Sequence, residues 1–228
     1  MLSNLRIYKC GNTYKYISLP VFDTKAKDYY VNDKILTKRD NNLIRAKTKV
    51  KDLIYCNDFM YFITITVNPK YNRYDLTSIR KLVNHRIRTA RQFTGKRLHF
   101  LFIPEQHKNG AWHLHGVISG DYTDFITDNE YLFYTCSIFN SIGFNSVSKI
   151  KDIDRVGAYI TKYITKEMDK IHKFRHTYFA SHGLNRPVLI KSFLYNNEYF
   201  NHQFFDLKSD FCYVKYDKKY YNSVTNLL

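Results

Sequence analysis

Apolar and polar residues alternate at two distinct periods along this chain. Between Phe59 and Val67 the run FMYFITITV is dense in aromatic and β-branched residues and halts at Asn68-Pro69, which predicts a strand closed by a turn. DLTSIRKLVNHRIRTARQFTG switches to helical spacing: Leu76, Ile79, Val83, Ile87 and Ala90 share one face, Asp75 is a candidate N-cap and Gly95 the stop. The opposite face of that helix is basic. LHFLFI, residues 98–103, predicts the next strand, and the chain then turns back through Asn109-Gly110, so that WHLHGVI, residues 112–118, becomes the returning arm of a hairpin. NEYLFYTCSIFNSIG reads as a helix ended by glycine, FNSVSKI as a strand and KDIDRVGAYITKYITKEMDKI as a helix. The order strand, helix, hairpin, helix, strand, helix suits an α+β chain with an antiparallel sheet covered by helices.

The flanks are less patterned. Residues 1–57 are basic and tyrosine-rich, with LPVF and VNDKIL as short strand-like pieces and NNLIRAKTKVKDLIYCNDF as a basic helix. Residues 179–228 show no repeat and suggest an appended helix or strand. The expected organisation is a basic N-terminal extension (1–57), a core (58–178) and a C-terminal extension (179–228).

Composition turns this outline towards nucleic acid. A chain of 228 residues can bury one sizeable core. Lysine and arginine number 36 against 20 acidic residues, and the resulting +16 attracts polyanions. Aromatic residues make up 17%, enough for a core and for some base-stacking platforms. The cysteines, Cys10, Cys56, Cys136 and Cys212, lack C-x-x-C spacing and read as free thiols in a reducing compartment. No apolar stretch has the length to span a bilayer and the N-terminus has no apolar signal region, so a soluble, cytoplasmic protein is expected. The phosphate-binding pattern G-x-x-x-x-G-K-[ST] is missing from the sequence, so any helicase motor must come from elsewhere.

Two constellations could carry chemistry. On a strand, His113 and His115 project together while Leu114 points away, which is chelating geometry. Register decides the third ligand: a three-residue loop, Lys108 to Gly110, sets Glu105 opposite His113, and a two-residue loop sets Gln106 there. Glu105 is favoured because a carboxylate suits a hard divalent cation such as Mg2+ or Mn2+ better than an amide does. On the last helix, Tyr159, Lys162, Tyr163 and Lys166 fall within an arc of roughly 100°. A separate stripe of Ile153, Val156, Ile160, Ile164, Met168 and Ile171 already supplies the core face. The Tyr/Lys face is therefore available for chemistry. A tyrosine oxygen can attack a phosphodiester to give a phosphotyrosine, with a neighbouring lysine favouring the phenolate.

Three motifs then match a known family in order. FITITV resembles its hydrophobic first motif with alternating threonines, WHLHGVI its histidine-hydrophobic-histidine motif, and YITKYITK the two-tyrosine motif of phage-type members. On these the chain resembles the rolling-circle replication initiators of the HUH endonuclease superfamily over roughly residues 42–190. RAKTKVKDLIYCNDFMYFITIT and FASHGLNRP also resemble segments of small initiators of phages and mobile elements in low-GC Gram-positive bacteria. The resemblance implies an RRM-like sheet, a divalent metal, and nicking of single-stranded origin DNA to leave a 5′-phosphotyrosine and a free 3′-hydroxyl. It implies His113 and His115 as metal ligands, Tyr159 and Tyr163 as nucleophiles, and Lys162 and Lys166 as their companions. A chain without its own motor would act in the bacterial host cell with the host helicase and polymerase. Rival readings are a relaxase or rolling-circle transposase of the same superfamily, a non-catalytic single-stranded nucleic-acid-binding module, and, last, a small zinc hydrolase.

Overall fold

The computed structural model describes residues 2–20, 38–128, 134–164, 177–196, 207–208 and 213–221. In chain order these form β1 (Leu2–Cys10), β2 (Thr13–Pro20), α1 (Lys38–Cys56), β3 (Phe59–Val67), α2 (Leu76–Thr94), β4 (Phe100–Gln106) and β5 (Trp112–Ser119). A 3-10 turn (Gly120–Phe125), β6 (Ile126–Asp128), β7 (Tyr134–Cys136), α3 (Ser137–Asn140), β8 (Gly143–Lys149) and α4 (Ile153–Ile160) follow. A second 3-10 turn (Thr161–Tyr163), β9 (Phe179–Ala180), β10 (Val188–Asn196), β11 (Leu207–Lys208) and β12 (Tyr213–Asp217) complete them. They divide into two units, Asn57–Leu184 and the paired segments Met1–Cys56 and Asn185–Leu228.

In Asn57–Leu184 the described strands make one antiparallel sheet in the order β6-β7-β8-β3-β5-β4-β9. The period of two in FMYFITITV explains why β3 lies at its centre. Ile63, Ile65 and Val67 are buried on one face, while Phe62, Thr64 and Thr66 stand half-buried on the other. The helix α2 covers the apolar face with Leu76, Ile79, Val83 and Ile87, in one core with Phe102, Leu114, Ile118 and Phe139. Its ends are set as the sequence predicts. The Asp75 carboxylate accepts from the backbone N–H groups of Thr77 (3.0 Å) and Ser78 (3.1 Å), and Gly95 takes the left-handed conformation at φ 70°. The α+β class and the antiparallel sheet covered by helices are thus as expected.

Three local expectations are corrected. The segment 129–143 is not a helix where it is described: Tyr134–Cys136 is a strand and only Ser137–Asn140 forms a helical turn. The buried Asn145 amide explains that fold, since it accepts from the backbone N–H of Cys136 (2.7 Å) and donates to Asn140 Oδ1 (2.9 Å), tying the turn to β8. The strand expected at 98–103 runs instead to Gln106 through Pro104. Proline is tolerated there because, among the described residues, β9 pairs only with Leu101 and Phe102 and leaves that stretch of β4 as an edge. The last α-helix ends at Ile160 rather than continuing through 171. Thr161 turns its hydroxyl onto the carbonyls of Gly157 and Ala158 (both 3.0 Å), a 3-10 turn follows, and Ile164 leaves in an extended conformation and is buried. Lys166, Met168 and Ile171 lie outside the described residues.

Gly143 sits where β8 begins and pairs with Val67. A Cβ there would overlap the Thr66 carbonyl oxygen and lie 2.7 Å from the Asn68 nitrogen. Backbone atoms within a sheet cannot yield, so Gly143→Ala is expected to destabilise the protein by about 2–3 kcal/mol. A fall in the thermal unfolding midpoint checks this; an unchanged midpoint would contradict the crowding.

The other unit holds the sheet β10-β1-β2-β12-β11 among its described residues. Strands β1 and β2 correct the expectation from sequence, which sees strands only at LPVF and VNDKIL. VNDKIL lies outside the described residues, and the residues at the start of the chain form a hairpin closed by Gly11-Asn12, with Gly11 at φ 55°. Residues 179–228, left open between helix and strand, contribute strands where described. The expected basic helix is present as α1. Leu5, Ile7, Tyr16 and Tyr195 form the core of this unit, and the buried Lys15 ammonium pairs with Asp52 at 2.7 Å while Tyr216 donates to the same carboxylate at 2.7 Å. No helix among the described residues is long and apolar enough to cross a membrane.

Candidate active site

The hairpin between β4 and β5 positions the histidines. His107 N–H donates to the Ala111 carbonyl (2.9 Å), Gly110 N–H donates to the His107 carbonyl (2.8 Å), and Gly110 adopts φ 83°. This is the three-residue loop, and it pairs Glu105 with His113. Gln106 falls on the alternate face opposite Trp112, and its amide donates to the Gly110 carbonyl at 2.9 Å. On the other side, β3 sets Thr64 opposite His115 and Thr66 opposite His113. Each threonine hydroxyl lies within hydrogen-bonding distance of the facing Nδ1, at 3.2 Å and 3.1 Å. The alternating threonines of FITITV therefore fix the orientation of both imidazoles through the nitrogen that faces β3.

The outward nitrogens meet acid. Glu105 Oε2 lies 2.8 Å from His115 Nε2 and 4.0 Å from Nε2 of His107, whose ring stacks on His113 with centroids 3.6 Å apart. Sequence reasoning misses His107, whose one signal is its place as the residue that opens the turn of the hairpin. Burial holds both His113 and His115 below the usual histidine pKa; His107 and His115 reinforce this at His113, and the Glu105 bond opposes it at His115. Neutral imidazoles with one nitrogen oriented by a hydroxyl, beside a carboxylate, are a donor set that fits a divalent cation. Among the described residues no three such side chains already converge on one point.

The tyrosines approach from α4. Asp152 caps this helix by accepting from the backbone N–H groups of Asp154 (2.9 Å) and Arg155 (3.3 Å). The tightening of the chain after Ile160 turns Tyr163 inward, where its ring lies flat on His115 at 3.9 Å with an interplanar angle of 4°. Tyr159 stays more exposed and stands edge-on to Phe62 at 5.5 Å. The Tyr163 hydroxyl donates to that of Tyr159, the two oxygens 2.6 Å apart. Burial, and then this bond, push the Tyr163 phenol well above its ordinary pKa. The Lys162 ammonium is 5.8 Å from the Tyr159 ring centroid. Thus Glu105, His115, Tyr163, Tyr159 and Lys162 come together in one constellation, His113 joins it through His107, and Lys166 lies outside the described residues. Phe62, the aromatic wall behind Tyr159, is also missed, because in the sequence it is one apolar residue within an apolar strand.

Residues 60–168, just under half the chain, match a family model described as Replication-associated protein ORF2. That span contains the sheet strands β4, β5 and β8, nearly all of β3 and both tyrosines, and the likeness supports a replication-associated protein acting on DNA. Neither the curated proteins nor the solved structures compared with the chain include a match.

Proposed function

We propose that this chain nicks and rejoins single-stranded DNA at a replication origin, starting and ending rolling-circle replication by tyrosine transesterification. The observation that carries this reading is the pair of phenol oxygens 2.6 Å apart, beside an imidazole and a carboxylate on a basic protein. A phenolate oxygen attacks the scissile phosphorus, a P–O(Tyr) bond forms and the P–O3′ bond breaks. The departing 3′ oxygen takes up a proton, and the 5′-phosphate stays on the tyrosine. His113, His115 and Glu105, with His107 beside them, would hold Mg2+ or Mn2+, which supplies polarisation of the phosphate oxygens. Lys162 lies near the developing phenolate at Tyr159, and Lys166 is proposed as the matching cation for Tyr163. Helicase and polymerase activities would be supplied by the host, in the bacterial cytoplasm.

The direct test is incubation with labelled single-stranded DNA from the cognate replicon and Mn2+, followed by denaturing electrophoresis. A protein band carrying label supports the transesterase. Binding without any adduct would support a non-catalytic nucleic-acid module instead, and adducts formed only on transfer-origin or transposon-end DNA would favour a relaxase or transposase.

The ligand set has its own check. Glu105→Ala is expected to weaken Mn2+ binding by at least about tenfold, because it removes the only carboxylate of the set. Gln106→Ala should change it little, since that amide faces the loop. Titration calorimetry giving the reverse order would move the ligand to Gln106.

A further inference from the structure

A cavity of about 580 Å³ opens beside Tyr159. Its volume lies within the range of roughly 300–1,000 Å³ that small-ligand sites occupy. Phe62 and Tyr159 form part of its wall, and Lys149, Lys151, Arg155 and Lys162 surround it. One carboxylate, Asp152, also lines it, but that group caps α4 and pairs with Arg155 Nε at 3.3 Å. Four cations against one engaged carboxylate make the cavity a seat for an anion, and Phe62 gives it an aromatic surface. These two features together suit a phosphate joined to a planar base. A free inorganic anion would not use the aromatic wall, and an uncharged ring would not use the cations.

On the transesterase reading above, we infer that this cavity seats one nucleotide immediately flanking the scissile phosphate, with its phosphate on Lys149, Lys151 and Arg155 and its base against Phe62. The bound nucleotide fixes the backbone beside the Tyr159 oxygen, so the cavity contributes positioning and register rather than bond-making. Lys149 and Lys151 sit at the end of β8 and in the loop after it, and Arg155 is in the first turn of α4, so the seat is built where the sheet hands over to the tyrosine-bearing helix.

The test compares the full chain with the variant Lys149→Ala/Lys151→Ala/Arg155→Ala. Oligonucleotides of the origin strand are shortened one nucleotide at a time from either side of the cut, and both adduct formation and fluorescence anisotropy are measured. In the parent protein, loss of the flanking nucleotide on one side is expected to raise KM and the dissociation constant about tenfold, the scale of one stacked base. The triple variant should match the parent on the shortened strand and lose nothing further from shortening. Its salt dependence should fall by about two phosphate contacts, at roughly 0.7 per contact for single strands. The charge-preserving variant Lys149→Arg/Lys151→Arg/Arg155→Lys should restore the parent's length dependence. A triple variant that responds to shortening as the parent does overturns the inference. Anisotropy keeps the two readings apart: if the parent never forms an adduct, the transesterase fails, yet the coupling between cavity and strand length is still measured by binding.

Discussion

Tyr159→Phe and Tyr163→Phe, taken singly, are each expected to leave a DNA adduct at the remaining tyrosine, and the double variant is expected to form none. Mapping the DNA-linked peptide by mass spectrometry reads the outcome directly. The reason lies in the termination step. Once one phenol is esterified, a second acceptor must cut the regenerated origin and release the displaced circle. Two phenol oxygens 2.6 Å apart provide that acceptor beside the first. The two single variants should nevertheless differ. Tyr163 is the more buried and the harder to ionise, and its ring lies against His115, whereas Tyr159 is 45% exposed and faces Lys162. The variant that keeps only Tyr163 should therefore react more slowly and gain more from raised pH, because a phenol held above its usual pKa presents less phenolate at any pH below that value. A single variant as inactive as the double, with the other unaffected, would reduce the site to one nucleophile.

His115→Ala is expected to lower metal-dependent nicking by about a thousandfold, or about 4 kcal/mol of transition-state stabilisation, while leaving salt-sensitive DNA binding close to that of the parent protein. Binding to the strand rests on the +16 surface, whose phosphate contacts do not pass through the imidazole. His115 is preferred over His113 for this test because it touches Glu105 at 2.8 Å and Tyr163 at 3.9 Å. Nicking assays with and without chelator, paired with filter binding across a salt series, separate the two effects. Equal nicking by His115→Ala and the parent would remove the cation from the proposal. A parallel loss of DNA binding would instead mean that the imidazole supports the fold.

Legibility in the sequence followed physical scale. Where one face of a strand or helix is buried and the other is not, period alone was sufficient: β3 and α2 begin and end at the expected residues, and the caps at Asp75 and Gly95 carry their geometry in their chemistry. The hairpin narrowed to two registers in the sequence, and only the backbone conformation at Gly110 separates them. Short elements failed for the opposite reason. Tyr134–Cys136 and the turn after it owe their form to the distant Asn145 amide, a contact that local periodicity cannot contain. The β1–β2 hairpin had a legible turn at Gly11-Asn12, but its strands mix tyrosine and lysine on both faces, so the alternation is blurred. In the site, residues with distinctive chemistry were visible: His113, His115, Tyr159 and Tyr163. His107 and Phe62 gain their importance only from what they stack against, which is a property of the fold and not of the residue.

The change from α-helix to 3-10 turn between Ile160 and Thr161 separates the two tyrosines. An α-helix advances about 100° per residue and a 3-10 helix about 120°, so three residues wound one way or the other alter the azimuth of Tyr163 relative to Tyr159 by about 60°. The Thr161 hydroxyl, bonded to two carbonyls of the preceding turn, holds the tighter winding. Rewinding that short segment would rotate one phenol away from His115 and bring the other around without displacing the sheet beneath. The alternation between the two nucleophiles thus reduces to a local change of pitch, confined to Thr161, Lys162 and Tyr163.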